Sequence, residues 1–348
     1  MTATAIEIPP FFMPFAPRLH PACEEIERGH EEWIKAFNLG GENTALRDKL
    51  IRTRTALLAA YACDTGTVEV ARSWADLGVW LFFVDDGYCE NTDTSTNPGK
   101  LSIVLGQLMR VAECPRQEDL LPGDPLADAL RDVVRRLEAF ASPAQQQLWR
   151  DGIRAFFLAS VQEAYWRSRN EVPTLDDFCP VRIETPGCRP LMHPLSEISY
   201  GARVGDSRHR PQLRALSEMA LLLMGWDNDI LSYPKELKQE RWRVGLVEIL
   251  RRREQLPLAQ AMDKAMGMRN QLLHRYLELG RRLRGEDEST VAFVECCDAF
   301  VGGCIAWETT SQRYGLDGEL GRVELSYDAI EPGNAPLPIP SISWWWDV

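Results

Sequence analysis

The chain has 348 residues, of which 45% are hydrophobic and 26% charged, an ordinary balance for a globular protein. Its formal net charge of −12 argues against nucleic acid as a partner, because phosphate backbones are bound by clustered lysine and arginine. No stretch reaches the roughly 18 uninterrupted apolar residues that would span a membrane, and the first residues lack the basic and apolar parts of a secretory signal. We therefore expect a cytoplasmic protein without a membrane partner.

The nine cysteines are odd in number, and none belongs to a Cys-x-x-Cys pair. Because no export signal is apparent, these thiols are expected to stay reduced. We therefore predict mostly buried cysteines, and neither a disulfide framework nor a zinc site.

Apolar residues recur at helical spacing along most of the chain, and no run alternates convincingly as a strand would. The spacing predicts helices over residues 21–37, 44–62, 67–90, 101–112, 124–141, 143–169, 212–236, 246–255, 258–284 and 288–314. Asp124 and Pro125 suit an N-cap and a first helical position, and a proline-rich connection follows residue 169. The prediction is an all-α bundle, in which ligand and metal sites form between facing helices.

An acidic cluster ends the third predicted helix, directly after the apolar residues 79–84. Asp86 and Glu90 are four residues apart and share a helix face, and Asp85 flanks them. Three carboxylates at a helix C-terminus repel one another and oppose the helix dipole, which a cation would relieve. Their hard oxygens suit Mg²⁺. On its own, such a cluster is more often a solvated helix end than a metal site.

A second polar pattern follows the apolar residues 219–224. Asn228, Ser232 and Glu236 lie at positions i, i+4 and i+8, and therefore on one side of a helix. Amide, hydroxyl and carboxylate oxygens together make a site for a hard cation. Pro234 removes a backbone donor and is expected to bend the helix here. The alternative is an amphipathic helix with a polar end.

The two patterns together resemble the metal-binding motifs of class I terpene synthases. In that family an aspartate-rich motif and an Asn/Ser/Glu motif face each other across the active-site mouth and hold three Mg²⁺ ions around the substrate diphosphate. Asp85, Asp86 and Glu90 match the first motif. Asn228, Ser232 and Glu236 match the second motif, and Lys235 takes the basic position beside its glutamate.

Two further segments carry the same resemblance. Residues 307–314, which read WETTSQRY, are similar to the C-terminal signature in which an arginine and a tyrosine contact the diphosphate, here Arg313 and Tyr314. Residues 178–187 are similar to the segment that carries the diphosphate sensor, here Arg182, which lies 46 residues before Asn228. The family's helix-break effector falls on Pro186, a less typical residue for that role, with Thr185 as the linker.

The resemblance implies a domain and a reaction. We expect one α-helical domain with a central active-site cavity over residues 15–315, flanked by tails at 1–14 and 316–348; the second tail is either docked through its tryptophans or loose. The implied reaction is Mg²⁺-dependent departure of diphosphate from a linear prenyl diphosphate, followed by cyclisation of the cation. The cavity must be apolar and dry, and aromatic faces stabilise cations. Phe82, Phe83 and Trp307 are the candidates for its wall.

Several alternatives stay open at this point. A chain-elongating prenyl diphosphate synthase would carry two aspartate-rich motifs, whereas this sequence has one. A helical homologue without activity is the non-enzyme alternative. We slightly favour C15 farnesyl diphosphate over C20 geranylgeranyl diphosphate, because Phe82 and Phe83 favour a compact pocket, although Gly78, Gly225, Gly302 and Gly303 could deepen it. A homodimer is left open.

Overall fold

The structure is a computed structural model that describes residues 6–89, 92–238, 242, 244–316, 321–327 and 335–348. Its fold is all-α, as the sequence predicts. The helices are α1 (Cys23–Ala36), α2 (Thr44–Arg52), α3 (Thr55–Ala62), α4 (Val68–Val84), α5 (Pro98–Glu113), α6 (Pro125–Phe140), α7 (Pro143–Arg169), α8 (Leu175–Arg182), α9 (Arg189–Ile198), α10 (Pro211–Leu231), α11 (Tyr233–Lys238), α12 (Leu246–Arg253), α13 (Leu258–Leu283), α14 (Glu288–Thr310) and α15 (Pro340–Ser343). Four two-residue strands are β1 (Ile6–Glu7), β2 (Phe11–Phe12), β3 (Gly321–Arg322) and β4 (Leu325–Ser326).

The chain divides into two compact units. Unit 1 comprises Met1–Pro17, Asn170–Pro186 and Ala202–Val348, and unit 2 comprises Arg18–Arg169 and Gly187–Gly201. In unit 1, α10 packs against both α13 and α14. In unit 2, α4 packs against α1, α3 and α6, while α7 packs against α5 and α9. The acidic motif therefore belongs to unit 2, and the Asn/Ser/Glu motif belongs to unit 1.

Most helix predictions are confirmed, and the differences have local causes. Asp124 caps α6, because its carboxylate accepts hydrogen bonds from the amides of Leu126 and Ala127. The helix predicted over 44–62 is broken at Arg54, whose φ of 54° is left-handed. The stretch predicted as a connection after residue 169 contains α8 and α9, each with a proline inside. We predicted no helix in this proline-rich stretch, and the prediction was wrong.

The prediction of mostly buried cysteines is confirmed, because eight of the nine are buried, and all nine, which lie in the described residues, are free thiols. Among the described residues, α14 is the one helix long and apolar enough to cross a membrane. Two-thirds of its apolar stretch (67%) is buried inside the protein, as in a core helix of a globular domain.

The described parts of both predicted tails are packed into unit 1. β1 pairs in parallel with β3, and β2 pairs in parallel with β4. Beneath these strands, Arg269 donates from Nη1 to the carbonyl oxygen of Phe12 (2.6 Å). The same guanidinium forms a fully buried ion pair with Asp227 at 2.7 Å. The N-terminal strand is thus attached to the residue that directly precedes Asn228.

The C-terminal segment is held by its tryptophans. Trp345 is fully buried, and its indole nitrogen donates to the Glu218 carboxylate at 3.1 Å. Arg275 Nε donates to the carbonyl oxygen of Trp345 at 3.0 Å, and the Arg214 guanidinium lies 4.8 Å from the Trp344 ring. Of the two possibilities that the sequence leaves open for this segment, the structure shows the docked one.

We expect Trp345→Ala to destabilise unit 1 by about 3–5 kcal/mol, the usual cost of emptying a large buried site. Trp346→Ala, at a partly exposed neighbouring position, is the matched control and should cost much less. Thermal and urea unfolding of both variants measures the difference. Equal losses would mean that the segment is not anchored through Trp345.

Candidate functional site

The Asn/Ser/Glu motif lies where α10 gives way to α11. Asn228 is in the last turn of α10, Ser232 is the residue between the two helices, and Glu236 is in α11. Backbone hydrogen bonds continue through the junction, since the Ser232 amide bonds to the Asn228 carbonyl and the Glu236 amide to the Ser232 carbonyl. Ser232 Oγ donates to Glu236 Oε1 at 2.5 Å. The structure therefore keeps the three predicted ligands on one side of a nearly continuous helix.

Arg182, the last residue of α8, reaches across to this motif. Its Nη2 donates to Asn228 Oδ1 at 3.0 Å and lies 2.7 Å from Asp229 Oδ1. Its Nη1 donates to Thr185 Oγ1 at 3.1 Å, which brings the predicted sensor and linker together. Asp229 also accepts from the Leu246 amide at 2.8 Å, so this carboxylate ties α8 and the start of α12 to α10.

Gly225 gives Arg182 the room to lie along α10. A Cβ on Gly225 would stand 3.0 Å from Arg182 Cγ and 3.1 Å from its carbonyl oxygen. At Gly78 and Gly302 the corresponding space is taken by Thr55 and Phe15. These three glycines therefore allow close packing, and their effect on the depth of a cavity stays a prediction.

Tyr314 and Lys235 complete the cluster in unit 1. The Tyr314 ring is buried edge-on against Trp307, with ring centres 5.6 Å apart, and Lys235 Nζ lies 5.4 Å from its centre. Burial, and then the nearby Glu308 carboxylate, raise the pKa of the Tyr314 hydroxyl well above its usual range, so it stays protonated. Trp307 itself is 3% exposed. Arg313 is partly exposed, and its backbone amide donates to Ser311 Oγ.

One member of the cluster was missed by the sequence analysis. Glu308, in α14, is only 3% exposed, and its Oε1 accepts from Asn228 Nδ2 at 2.8 Å. Asn228 Nδ2 also lies 3.1 Å from the Tyr314 hydroxyl oxygen. Glu308 stands within the WETTSQRY segment that the sequence singles out. An acidic residue directly after the apolar run 299–307 of α14 was the available signal.

The acidic motif in unit 2 begins where α4 ends. Asp85–Cys89 form a short π-helical turn, a wider coil that is frequent at functional sites. Asp85 is partly exposed, whereas Asp86 is 4% exposed and lies 2.9 Å from Lys49 Nζ. Glu90 lies outside the described residues. The metal roles of these three residues stay predictions, and the position of Lys49 means that a cation at Asp86 would share or replace an existing partner.

The predicted wall residues differ in their surroundings. Phe83 is 3% exposed and belongs to the core of unit 2, whereas Phe82 is partly exposed. Consecutive helical residues point about 100° apart around the helix axis, so the two phenylalanines cannot line the same cavity wall to the same extent. Pro186 lies in the turn between α8 and α9, before Gly187, whose φ of 69° turns the chain.

The oxygens of Asn228, Ser232 and Glu236 suit a hard divalent cation such as Mg²⁺. The described residues contain no cluster of three or more His, Cys, Asp and Glu side chains that could hold a metal. A zinc site built from nitrogen and sulfur ligands is therefore not found in that part of the chain. The donor set, in which amide and hydroxyl oxygens accompany one carboxylate, fits a cation that is also bound by phosphate oxygens.

Comparisons with known proteins agree with this donor chemistry. A family profile described as "Terpene synthase family 2, C-terminal metal binding" matches residues 76–275. Bonnadiene synthase from Allokutzneria albata is 30% identical, over 99% of each chain. A (+)-T-muurolol synthase from Streptomyces clavuligerus, named as cyclising (2E,6E)-farnesyl diphosphate, is also 30% identical, over 97% of this chain and 82% of its own length.

Solved structures show the same fold. The SVS_A2 protein from ancestral sequence reconstruction superposes with a TM-score of 0.86 at 28% identity, over 98% of this chain and 99% of its own. 2-Methylisoborneol synthase from Streptomyces coelicolor A3(2), solved with Mg²⁺ and 2-fluoroneryl diphosphate, superposes with a TM-score of 0.77 at 23% identity. That match covers 88% of this chain and 98% of the other.

We expect Gly225→Ala to destabilise the protein by about 1–3 kcal/mol, because the added methyl group overpacks the site against Arg182. Gly267→Ala, on an exposed face of α13 with open space around it, is the control and should stabilise the protein by up to about 1 kcal/mol. Urea unfolding measures both. If Gly225→Ala is also stabilising, Arg182 does not occupy the space beside α10.

Proposed function

The chain belongs to the class I terpene synthases and is a terpene cyclase, and on that premise we propose that it uses Mg²⁺ to ionise farnesyl diphosphate. The observation that carries the proposal is the cluster in unit 1, where the predicted sensor Arg182 contacts Asn228 of the metal motif at 3.0 Å. A metal ligand and a guanidinium placed together suit a diphosphate, which needs both cations and donors.

Each predicted residue has a part in the proposed reaction. Asn228, Ser232 and Glu236 would hold Mg²⁺, and so would the acidic motif of Asp85, Asp86 and Glu90. Bound Mg²⁺ supplies Lewis-acid stabilisation of the charge that develops on the departing diphosphate. The oxygens of the diphosphate would be bound by Arg182, Arg313, Lys235 and Tyr314. We expect three Mg²⁺ ions at the complete site.

Arginine and tyrosine contribute in different ways to holding the leaving group. The planar guanidinium of Arg182 can make forked contacts with phosphate oxygens, which an ammonium group cannot. The Tyr314 hydroxyl remains a donor at any physiological pH, since its pKa is raised. Both groups would stabilise diphosphate after the carbon–oxygen bond breaks, when its charge is greatest.

The choice of farnesyl diphosphate rests on two observations. The similar T-muurolol synthase is named for cyclising that substrate. At three of the four glycines that could favour a longer chain, Gly78, Gly225 and Gly302, a side chain could not be added without meeting a neighbouring residue. A cytoplasmic location is part of the same proposal. A chain-elongating prenyl diphosphate synthase is set aside, because the chain belongs to the cyclising family.

Incubation with C10, C15 and C20 diphosphates tests the proposal directly. We expect pyrophosphate release and a cyclic C15 product from farnesyl diphosphate, lost on chelation by EDTA and restored by Mg²⁺. Asn228→Ala removes one of the proposed metal ligands, so it should reduce turnover by at least about a hundredfold with little change in helicity. Turnover of geranylgeranyl diphosphate alone would overturn the C15 assignment, and metal-independent turnover would overturn the role of Mg²⁺.

A matched pair of substitutions tests the cavity wall. Phe82→Ala should alter the product mixture with a small loss of stability, because Phe82 is partly exposed. Phe83→Ala should instead cost about 3–5 kcal/mol of stability, because it empties a buried site. Product analysis by mass spectrometry and thermal unfolding separate the two effects. An unchanged product mixture for Phe82→Ala would remove that residue from the wall.

A further inference from the structure

The side-chain amide of Asn228 is held by groups of opposite hydrogen-bonding character. Arg182 can only donate, and its Nη2 lies 3.0 Å from Asn228 Oδ1. An ionised Glu308 can only accept, and its Oε1 lies 2.8 Å from Asn228 Nδ2. Oxygen and nitrogen of an amide are ordinarily hard to tell apart, and the network decides between them. Arg182 and Glu308 both favour the same orientation, in which Oδ1 faces Arg182 and Nδ2 faces Glu308.

That orientation matters for a metal ligand. A hard cation binds the amide oxygen, whereas an amide turned by 180° would present its NH₂ group instead. Glu308 opposes this turn, because it would bring the amide oxygen against a carboxylate. Burial strengthens the preference, since Glu308 is 3% exposed and a hydrogen bond to a charged group is stronger where water is excluded.

Glu308 is also well placed to keep this orientation when Arg182 turns to a substrate. The carboxylate is carried by α14, which packs on α10, while Arg182 is carried by α8. The Tyr314 hydroxyl lies 3.1 Å from the same Asn228 nitrogen, on the same side of the amide as Glu308. Two of these three contacts therefore do not depend on the sensor arginine.

We propose that Glu308 is a positioning residue, which fixes the Asn228 amide with Oδ1 directed to the metal. The inference rests on the proposed function, because it assigns Asn228 as a metal ligand. Glu308 acts through Asn228 and is not itself assigned to the metal. Glu308 acts by accepting a hydrogen bond from Asn228 Nδ2. Exchanging the donor and the acceptor between the two side chains therefore tests this role.

The test compares Asn228→Asp, Glu308→Gln and the double variant at one mildly alkaline pH. Asn228→Asp keeps an oxygen ligand but places two carboxylates together, so we expect turnover to fall at least a hundredfold. Glu308→Gln keeps an acceptor oxygen, so its turnover should fall only a few-fold. In the double variant, the introduced glutamine can donate to the introduced aspartate, and we expect at least a tenfold recovery over Asn228→Asp. If the fold-losses in turnover of the two single variants simply multiply in the double variant, the inference is overturned.

A second readout does not depend on turnover. The thermal midpoint of each variant is measured while Mg²⁺ is titrated in the presence of inorganic pyrophosphate. The Mg²⁺ concentration for half of the stabilisation should rise at least tenfold in Asn228→Asp and recover in the double variant. Glu308→Leu, which removes the acceptor at similar volume, should raise it at least tenfold, whereas Glu308→Gln should stay within a few-fold of the parent. Equal midpoints for Glu308→Leu and the parent would overturn the inference even if Asn228→Asp fails to fold.

The two proposals fail in different ways. If the parent shows neither turnover of prenyl diphosphates nor stabilisation by Mg²⁺ and pyrophosphate, the proposed function fails. If the parent shows both, and the double variant gives no recovery, the proposed function stands and the role of Glu308 is rejected.

Discussion

The Asn228 side chain is the point at which unit 1 joins its separate elements into one site. Arg182 from α8, Glu308 from α14 and Tyr314 from the chain after α14 all lie within 3.1 Å of its amide. These partners come from two separate stretches of sequence, Arg182 from one and Glu308 and Tyr314 from residues 307–314, so the amide is satisfied only when both stretches pack against α10. Because each such hydrogen bond contributes about 0.5–1.5 kcal/mol, the site and the packing of unit 1 stabilise each other.

The surroundings of Asn228 extend this dependence to the N-terminal strand. Its neighbour Asp227 forms a fully buried ion pair with Arg269, which in turn holds Phe12 in the N-terminal strand. A buried pair of this kind contributes little net stability, but the loss of one partner is costly because the other charge remains buried. The N-terminal segment therefore supports the Asn/Ser/Glu motif through these contacts, although the sequence gives it no motif of its own.

The sequence predicted the elements that depend on local chemistry and missed those that depend on tertiary contacts. Asp124 and Pro125 mark the start of α6 by capping alone, and the structure confirms it. α8 and α9 were missed, because Pro180 and Pro194 argue against helix locally and are tolerated here by packing. Glu308 escaped notice for a similar reason, since only the fold shows that its partner is 80 residues away.

The charged groups of the proposed reaction already have partners within the chain, and this shapes how ligands must bind. Arg182 is paired with Asp229 at 2.7 Å, and in unit 2 Asp86 is paired with Lys49 at 2.9 Å. A cation at Asp86 must share or displace an ammonium group, and an anion at Arg182 must compete with a carboxylate. For a chain with a net charge of −12, either ligand alone exchanges one ion pair for another and gains little. On the proposed function, a cation held by Asn228, Ser232 and Glu236 would offset the charge of a diphosphate at Arg182, and all four residues belong to unit 1. On the proposed function, binding of metal and diphosphate is therefore positively coupled, and by linkage each ligand raises the affinity of the other to the same extent.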